Sequence, residues 1–288
     1  MIFALIIPVY YNYLRMPTYK SISILLLFIL LVSSCIDDGE ILIKVGETTP
    51  PKVELCLLKN ANHGHGVVYN LSYDTQKLLT TLEGFSDFDK ITYENGLPVK
   101  AERSNDKSYY ISFQYDAKGG LSLITFVGKD SAGKSFEFKS SVFVNTQKQV
   151  ERINLSLPVF DDIIESTITY DKAGNVTKIS IMKEGKSKTL LENLSFDDKN
   201  SPYLGVSHSN IMLYFIIYSA SLGAENTTYF VNKNNVTLAK IYSSNGEVNY
   251  TYQYEYNDEK FPVKTKVTRR YSGKDENYQE SFSYNCPK

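Results

Sequence analysis

Four places in this 288-residue chain pair residue types with spacings that chemistry uses. Gly128-Lys129-Asp130-Ser131-Ala132-Gly133-Lys134-Ser135 meets the spacing of a phosphate-binding loop. That chemistry needs a helix after the lysine, so that its first amides face the phosphates. Here Phe136-Glu137-Phe138-Lys139 follows, then Val142 and Val144, an alternation that makes a strand. The segment therefore reads as a glycine-rich hairpin loop. His63-Gly64-His65-Gly66 sets two imidazoles on one face of an extended chain. Zinc takes three or four ligands, and the third histidine, His208, stands far off with no cysteine or carboxylate pattern beside it, so no metal site is expected. Asp161-Asp162 and Asp197-Asp198 place carboxylates side by side, but both are expected at turns, where aspartate bonds the backbone. The chain has neither Gly-x-Ser-x-Gly nor His-Glu-x-x-His. No catalytic residue, cofactor or enzymatic activity is expected.

Tyrosine is the other chemical resource, with 23 copies and no tryptophan. Its ring is apolar and its hydroxyl tolerates water, so exposed rows can stack on sugars or pack on a partner protein. Val67-Tyr69-Leu71-Tyr73, Tyr109-Ile111-Phe113-Tyr115, Tyr250-Tyr252-Tyr254-Tyr256 and Phe282-Tyr284 alternate with Ser, Thr, Gln and Glu. That period belongs to half-buried strands. It predicts a mainly β protein, an antiparallel meander of hairpins forming a curved sheet or open barrel. Tyr110, Tyr250, Tyr252 and Tyr254 are candidate binding residues for a glycan or envelope partner if their rows line a wet concave face; on an inner face they are core.

The elements that position these rows are punctuated by a repeated unit. Tyr115-Asp116-Ala117-Lys118-Gly119 and Tyr170-Asp171-Lys172-Ala173-Gly174 share Tyr-Asp-x-x-Gly, with degenerate copies at Tyr73-Asp74, Tyr93-Glu94, Phe196-Asp197 and Tyr256-Asn257. Aspartate at the first turn position bonds the backbone two residues on, and glycine at the fourth takes positive φ. These units resemble the Tyr-Asp repeats of Rhs-type shell proteins. Their order resembles a family of uncharacterised Bacteroidetes lipoproteins with a domain of unknown function. The likeness rests on Tyr170 to Ile179, on Asp197-Asp198-Lys199-Asn200-Ser201-Pro202, and on Tyr254 to Thr265, where the usual glycine before Phe261-Pro262 is missing. It covers most of the mature chain and implies hairpin geometry without an activity. Ser209 to Leu222 breaks the period, being apolar all round between Gly205 and Gly223; it reads as a short buried helix, with a core strand as the rival.

The N-terminal segment addresses the chain. Ser21 to Val32 is apolar, follows Lys20 and ends in Ser33-Ser34-Cys35. It is too short to span a bilayer, which takes ~20 apolar residues, and the right length for a signal peptide. Leu31 to Cys35 resembles the bacterial lipobox, which implies lipid attachment at Cys35. Residues 1–34 are thus a signal peptide with Met16 as its start, 35–52 a lipidated N-terminus and linker, and 53–288 one β-rich domain. Ile36-Asp37-Asp38-Gly39-Glu40 resembles the surface-export signal of Bacteroidetes lipoproteins, implying a membrane-tethered protein of the outer membrane or cell surface. Asp130-Ser131-Ala132 resembles their O-glycosylation site, at Ser131. Removing residues 1–34 deletes Arg15 and Lys20 and no acid, leaving 29 basic against 32 acidic residues, no footprint for nucleic acid. Cys56 and Cys286 form a disulfide in an oxidising compartment or stand as two free thiols. Period-two phase sets Cys56 opposite Val53, Leu55 and Leu57, whereas Cys286 shares a face with Phe282 and Tyr284.

Intact-mass measurement of the native protein is expected to give a polypeptide beginning at Cys35 with added acyl mass, and Cys35→Ala is expected to lose that mass altogether.

Overall fold

The computed structural model describes residues 55–287 other than 86–87, 131, 158–161, 184, 207–211, 213–215, 218–219, 221–222, 224 and 244–245. The signal peptide, Cys35, Ser131, Asp161 and His208 lie outside the described residues.

Among the described residues sixteen strands follow one another. They are β1 (Leu57–Asn62), β2 (Val68–Tyr73), β3 (Leu79–Glu83), β4 (Lys90–Glu94), β5 (Leu97–Arg103), β6 (Asp106–Tyr115), β7 (Leu121–Lys129) and β8 (Ser135–Val144). Then come β9 (Val150–Leu157), β10 (Asp162–Tyr170), β11 (Val176–Lys183), β12 (Lys186–Asn200), β13 (Asn234–Ser243), β14 (Gly246–Tyr256), β15 (Pro262–Tyr271) and β16 (Lys274–Asn285). Each pairs antiparallel with its sequence neighbours, and β16 returns to β1 with Leu57 opposite Asn285, closing the meander into a barrel.

Period-two alternation gives the barrel two unlike faces. Inward point Ile111 and Phe113 of β6, Ile124 and Phe126 of β7, Val248 and Tyr250 of β14 and Phe282 of β16, all buried. Outward from β14 point Glu247, Thr251, Gln253 and Glu255, and from β16 Asp275, Asn277, Gln279, Ser281 and Ser283, all exposed. Cross-strand ion pairs dress this wall: Lys240–Glu247 at 2.9 Å, Lys178–Glu192 at 3.3 Å and Arg270–Asp275 at 2.6 Å. Burying each large inner side chain contributes about 1.5–3 kcal/mol; the exposed pairs add little. A barrel that crosses a membrane has the reverse arrangement, an apolar outer band around a polar lumen. The outward positions of β14 and β16 are polar instead.

The corners follow one chemistry. Asp74, Asp116, Asp130, Asn145, Asp171 and Asn257 each open a turn in which the first residue's amide donates to the carbonyl four residues on. In each, the side-chain oxygen accepts from that fourth residue's amide as well, as from Leu78 and Gly120 at 2.9 and 2.8 Å. The residue before it takes positive φ: Gly119, Gly133 and Gly174, but also Lys77, Lys148 and Lys260. Lysine at φ 66° thus stands in for the missing glycine before Phe261-Pro262. Two expected copies are otherwise. Tyr93-Glu94 leads into a tight Asn95-Gly96 turn with both φ positive. Asp197-Asp198 lies inside β12 rather than at a turn, where Asp197 holds Asn235.

Five tyrosines each pin their strand to the one immediately before it. The hydroxyls of Tyr73, Tyr115, Tyr170, Tyr254 and Tyr284 donate to the carbonyls of Leu58, Pro98, Val150, Val236 and Pro262, at 2.7–2.8 Å. Tyr73, Tyr115 and Tyr170 each stand one residue before a turn, and burial pushes the hydroxyls of Tyr73, Tyr170, Tyr254 and Tyr284 above their ordinary pKa.

Cys56 and Cys286 form a disulfide across 230 residues, beside the β1–β16 seam. Cys56 stands opposite Leu55 and Leu57 as the alternation sets it, but Cys56 and Leu58 form the buried side and Leu55 the exposed one. Between β12 and β13 runs an insertion, residues 201–233. Met212, Ile216, Ile217 and Ala220 in it are helical, and Met212, Ile216 and Ala220 are buried at four-residue intervals, which agrees with a short helix. The insertion is fixed by a buried polar web. Asn193 donates to the Thr228 hydroxyl at 2.9 Å, Asn226 donates to Asn193 at 2.7 Å, and Asn232 accepts from the Val176 amide at 2.8 Å.

In the entropy model a cross-link across a loop this long contributes about 5 kcal/mol. Cys286→Ser is expected to lower the unfolding midpoint by roughly 2–4 °C for each kcal/mol lost, with the change read by calorimetry under non-reducing conditions.

Candidate functional site

The densest chemistry lies inside the barrel, where β1, β2 and β16 meet the insertion. Gly64 takes φ +77°, and a Cβ there would sit 2.9 Å from the Tyr278 ring, so only glycine makes this turn. The turn parts the two imidazoles that an extended chain would align. His65 stays at the rim, 3.8 Å from Glu276 and against the Tyr278 ring, while His63 turns inward and is 2 % exposed. The expected shared face of His63 and His65 is therefore corrected.

His63 joins wall to insertion. Its Nδ1 lies 3.2 Å from Glu280 Oε1 on β16, and its Nε2 lies 2.9 Å from the hydroxyl of Tyr203 in the insertion. The carboxylate calls for a proton on Nδ1, which leaves Nε2 to accept from Tyr203. Tyr229 stacks on the imidazole at 4.5 Å, with Tyr69 and Phe282 each at 5.5 Å. Carboxylate, imidazole and hydroxyl stand in the order of a hydrolase triad. The chemistry differs, because burial holds the Tyr203 hydroxyl well above its ordinary pKa and rings close around it. A nucleophile needs the opposite, a lowered pKa and access to substrate. The three side chains act as a pin. Glu225 nearby is raised by burial and by the Glu280 charge.

The candidate tyrosines divide. Tyr250, Tyr252 and Tyr254 form an inward ladder with ring spacings of 6.0 and 6.2 Å, so they do not line a wet concave face. Tyr250 is fully buried and its hydroxyl accepts from Arg269 Nε at 3.2 Å. Tyr252 and Tyr254 border a cavity of about 20 Å³ together with Asn226, Tyr229, Asn235 and Glu280. That is room for about one water-sized particle, far below a sugar. Only Tyr110 among the four points outward, with Lys100 Nζ 4.6 Å from its ring centre.

The remaining motifs settle as structure. In the Gly128–Ser135 loop the amides of Ala132 and Lys134 are taken by Asp130, and β8 begins at Ser135 where a phosphate loop needs a helix. Cys56, Glu259 and Cys286 lie within 4.8 Å of one another, but disulfide sulfurs offer no thiolate to a metal. Glu280 and Tyr203 escaped sequence reading because their partner His63 lies 217 and 140 residues away. The one available signal was a carboxylate in phase with Tyr278, Phe282 and Tyr284.

Among solved structures the chain is similar to a porin-like protein from Bacteroides uniformis, at 12% identity and a TM-score of 0.50, over 79% of this chain and 98% of that one. A porin-like protein from Bacteroides vulgatus matches at 11% identity and a TM-score of 0.48, with the same coverage. The first likeness is one of fold. No family model and no curated protein matches the chain.

Tyr203→Phe leaves His63 Nε2 buried without a donor, which costs about 1–3 kcal/mol. The expected result is a lower unfolding midpoint with unchanged far-ultraviolet circular dichroism; an unaltered midpoint would contradict the pin.

Proposed function

We propose that the protein is a lipid-anchored component of the outer envelope, held at the membrane through Cys35, whose barrel stands in water and binds a partner protein through its outer surface without a reaction of its own. One observation carries this reading: the polar, ion-paired side of the sheet faces out and the aromatic side is enclosed. A wall bearing Glu247, Gln253 and Lys266 does not suit lipid, and an interior cavity of about 20 Å³ does not suit a transported solute or a glycan. What is left for recognition is the exterior. The Cys56–Cys286 bond suits an oxidising compartment, and the lipobox-like Leu31 to Cys35 supplies the anchor. A barrel fold shared with a porin-like protein agrees with an envelope setting. A glycan-binding platform is disfavoured because the tyrosine ladder that would form it points inward.

Crosslinking in intact cells, followed by affinity purification of the full-length protein, is expected to recover one envelope protein in constant ratio, and a glycan array probed with the same preparation is expected to be blank. Saturable binding to one sugar class would replace this reading with the glycan-binding one.

A further inference from the structure

The tyrosine ladder of β14 does not stop at Tyr254. Tyr256 continues it, so that four rings in steps of 6.0–6.2 Å run along the strand from fully buried Tyr250 to half-buried Tyr256, beside the corner that Asn257 opens. The row covers about 20 Å of strand. A phenol ring gives up one electron readily, and this chain has no tryptophan to compete. Rings in such short steps pass the vacancy from one to the next. An oxidised phenol is a strong acid, so the vacancy settles where a base takes the hydroxyl proton.

The four hydroxyls differ in this respect. That of Tyr250 accepts from the Arg269 guanidinium, whose charge opposes a second positive charge beside it. Tyr252 borders the enclosed cavity, and Tyr254 donates to the Val236 carbonyl, which is no base. Tyr256 alone in the ladder donates to a carboxylate, at Asp197 Oδ2. Asp197 Oδ1 takes the amides of Lys199 and Asn235 at 2.9 and 3.2 Å, and its Oδ2 takes Asn235 Nδ2 at 3.2 Å. These groups can only donate, so both oxygens act as acceptors and the proton of the shared bond belongs to Tyr256. Burial and the bond to Asp197 hold that hydroxyl above its ordinary pKa, so it keeps its proton until an electron leaves. Tyr242 also donates to a carboxylate, Glu192 at 2.6 Å, but it stands opposite Glu247 on the outer wall, off the ladder.

We propose that Tyr256 and Asp197 form a proton-coupled redox site that traps oxidising equivalents delivered along the ladder. One electron passes from Tyr256 through Tyr254, Tyr252 and Tyr250 to a one-electron oxidant at the start of β14. The hydroxyl proton moves to Asp197 Oδ2, leaving a neutral phenoxyl radical and a carboxylic acid, and a one-electron reductant reverses both transfers. The site exchanges one electron and turns over no substrate, so it stands beside the partner-binding role and does not rest on it.

A ruthenium polypyridyl photo-oxidant attached to full-length protein carrying Lys274→Cys tests this. Lys274 is exposed and lies across Tyr271 from Val248, at the far end of the ladder from Tyr256. After illumination with persulfate and a nitroso spin trap, peptide mass spectrometry is expected to find the adduct on Tyr256. Y252F, which removes a middle rung, and D197N, which removes the proton acceptor, are each expected to lose that adduct. Y252F keeps the test decisive if D197N fails to fold. No adduct on Tyr256, or an adduct retained in Y252F or in D197N, would overturn the proposal.

Discussion

A ribbon that carries Ile111, Tyr250 and Phe282 on one side and Ser112, Gln253 and Ser281 on the other keeps its first side dry only by curling that side inward. Everything else follows from this enclosure. Closure requires β1 to find β16, so the first and last strands meet at a seam, and the disulfide sits beside it. Sixteen strands in a round barrel would leave a water-filled channel. Here inward side chains and the insertion enter that space: Tyr203, Tyr229 and Phe230 pack around His63, and Phe230 also meets Tyr69 of β2.

Tyrosine suits this construction because it packs like an apolar ring and still satisfies a backbone carbonyl. Each pinning hydroxyl removes one unpaired acceptor near a corner, where the ladder is interrupted. The aspartates before and within the corners do the same for amides. Tyr-Asp is thus a structural pairing in this chain, with one residue closing the wall inward and the next closing the turn. The polar web of Asn193, Asn226, Thr228 and Asn232 extends the logic to the insertion, which it anchors on the C-terminal side of the apolar segment.

Local features were legible in the sequence, and long-range ones were not. Alternation in β6, β14 and β16 and the corners at Asp116 and Asp171 depend on residues within one hairpin. The helical segment around Met212 to Ala220 was readable from a missing period. Which side of the strand holding Cys56 is buried was not legible, because Leu55 and Leu57 mark the outer side there and Cys56 and Leu58 the inner one. Asp197 was mistaken for a turn residue because its partner, Asn235, is set by the register of β12 on β13. Which side of the tyrosine rows is wet depends on closure, a property of the whole sheet. The Glu280–His63–Tyr203 pin combines three segments, and its local mark is confined to a carboxylate in phase with Tyr278 and Phe282.

The central claim is that the outer wall faces water and the barrel holds itself together without lipid. Size-exclusion chromatography of the Cys35→Ala protein in detergent-free buffer tests it directly. The account predicts a folded, β-rich species that stays in solution without detergent. A protein that aggregates on detergent removal and refolds only into micelles or bilayers would contradict it.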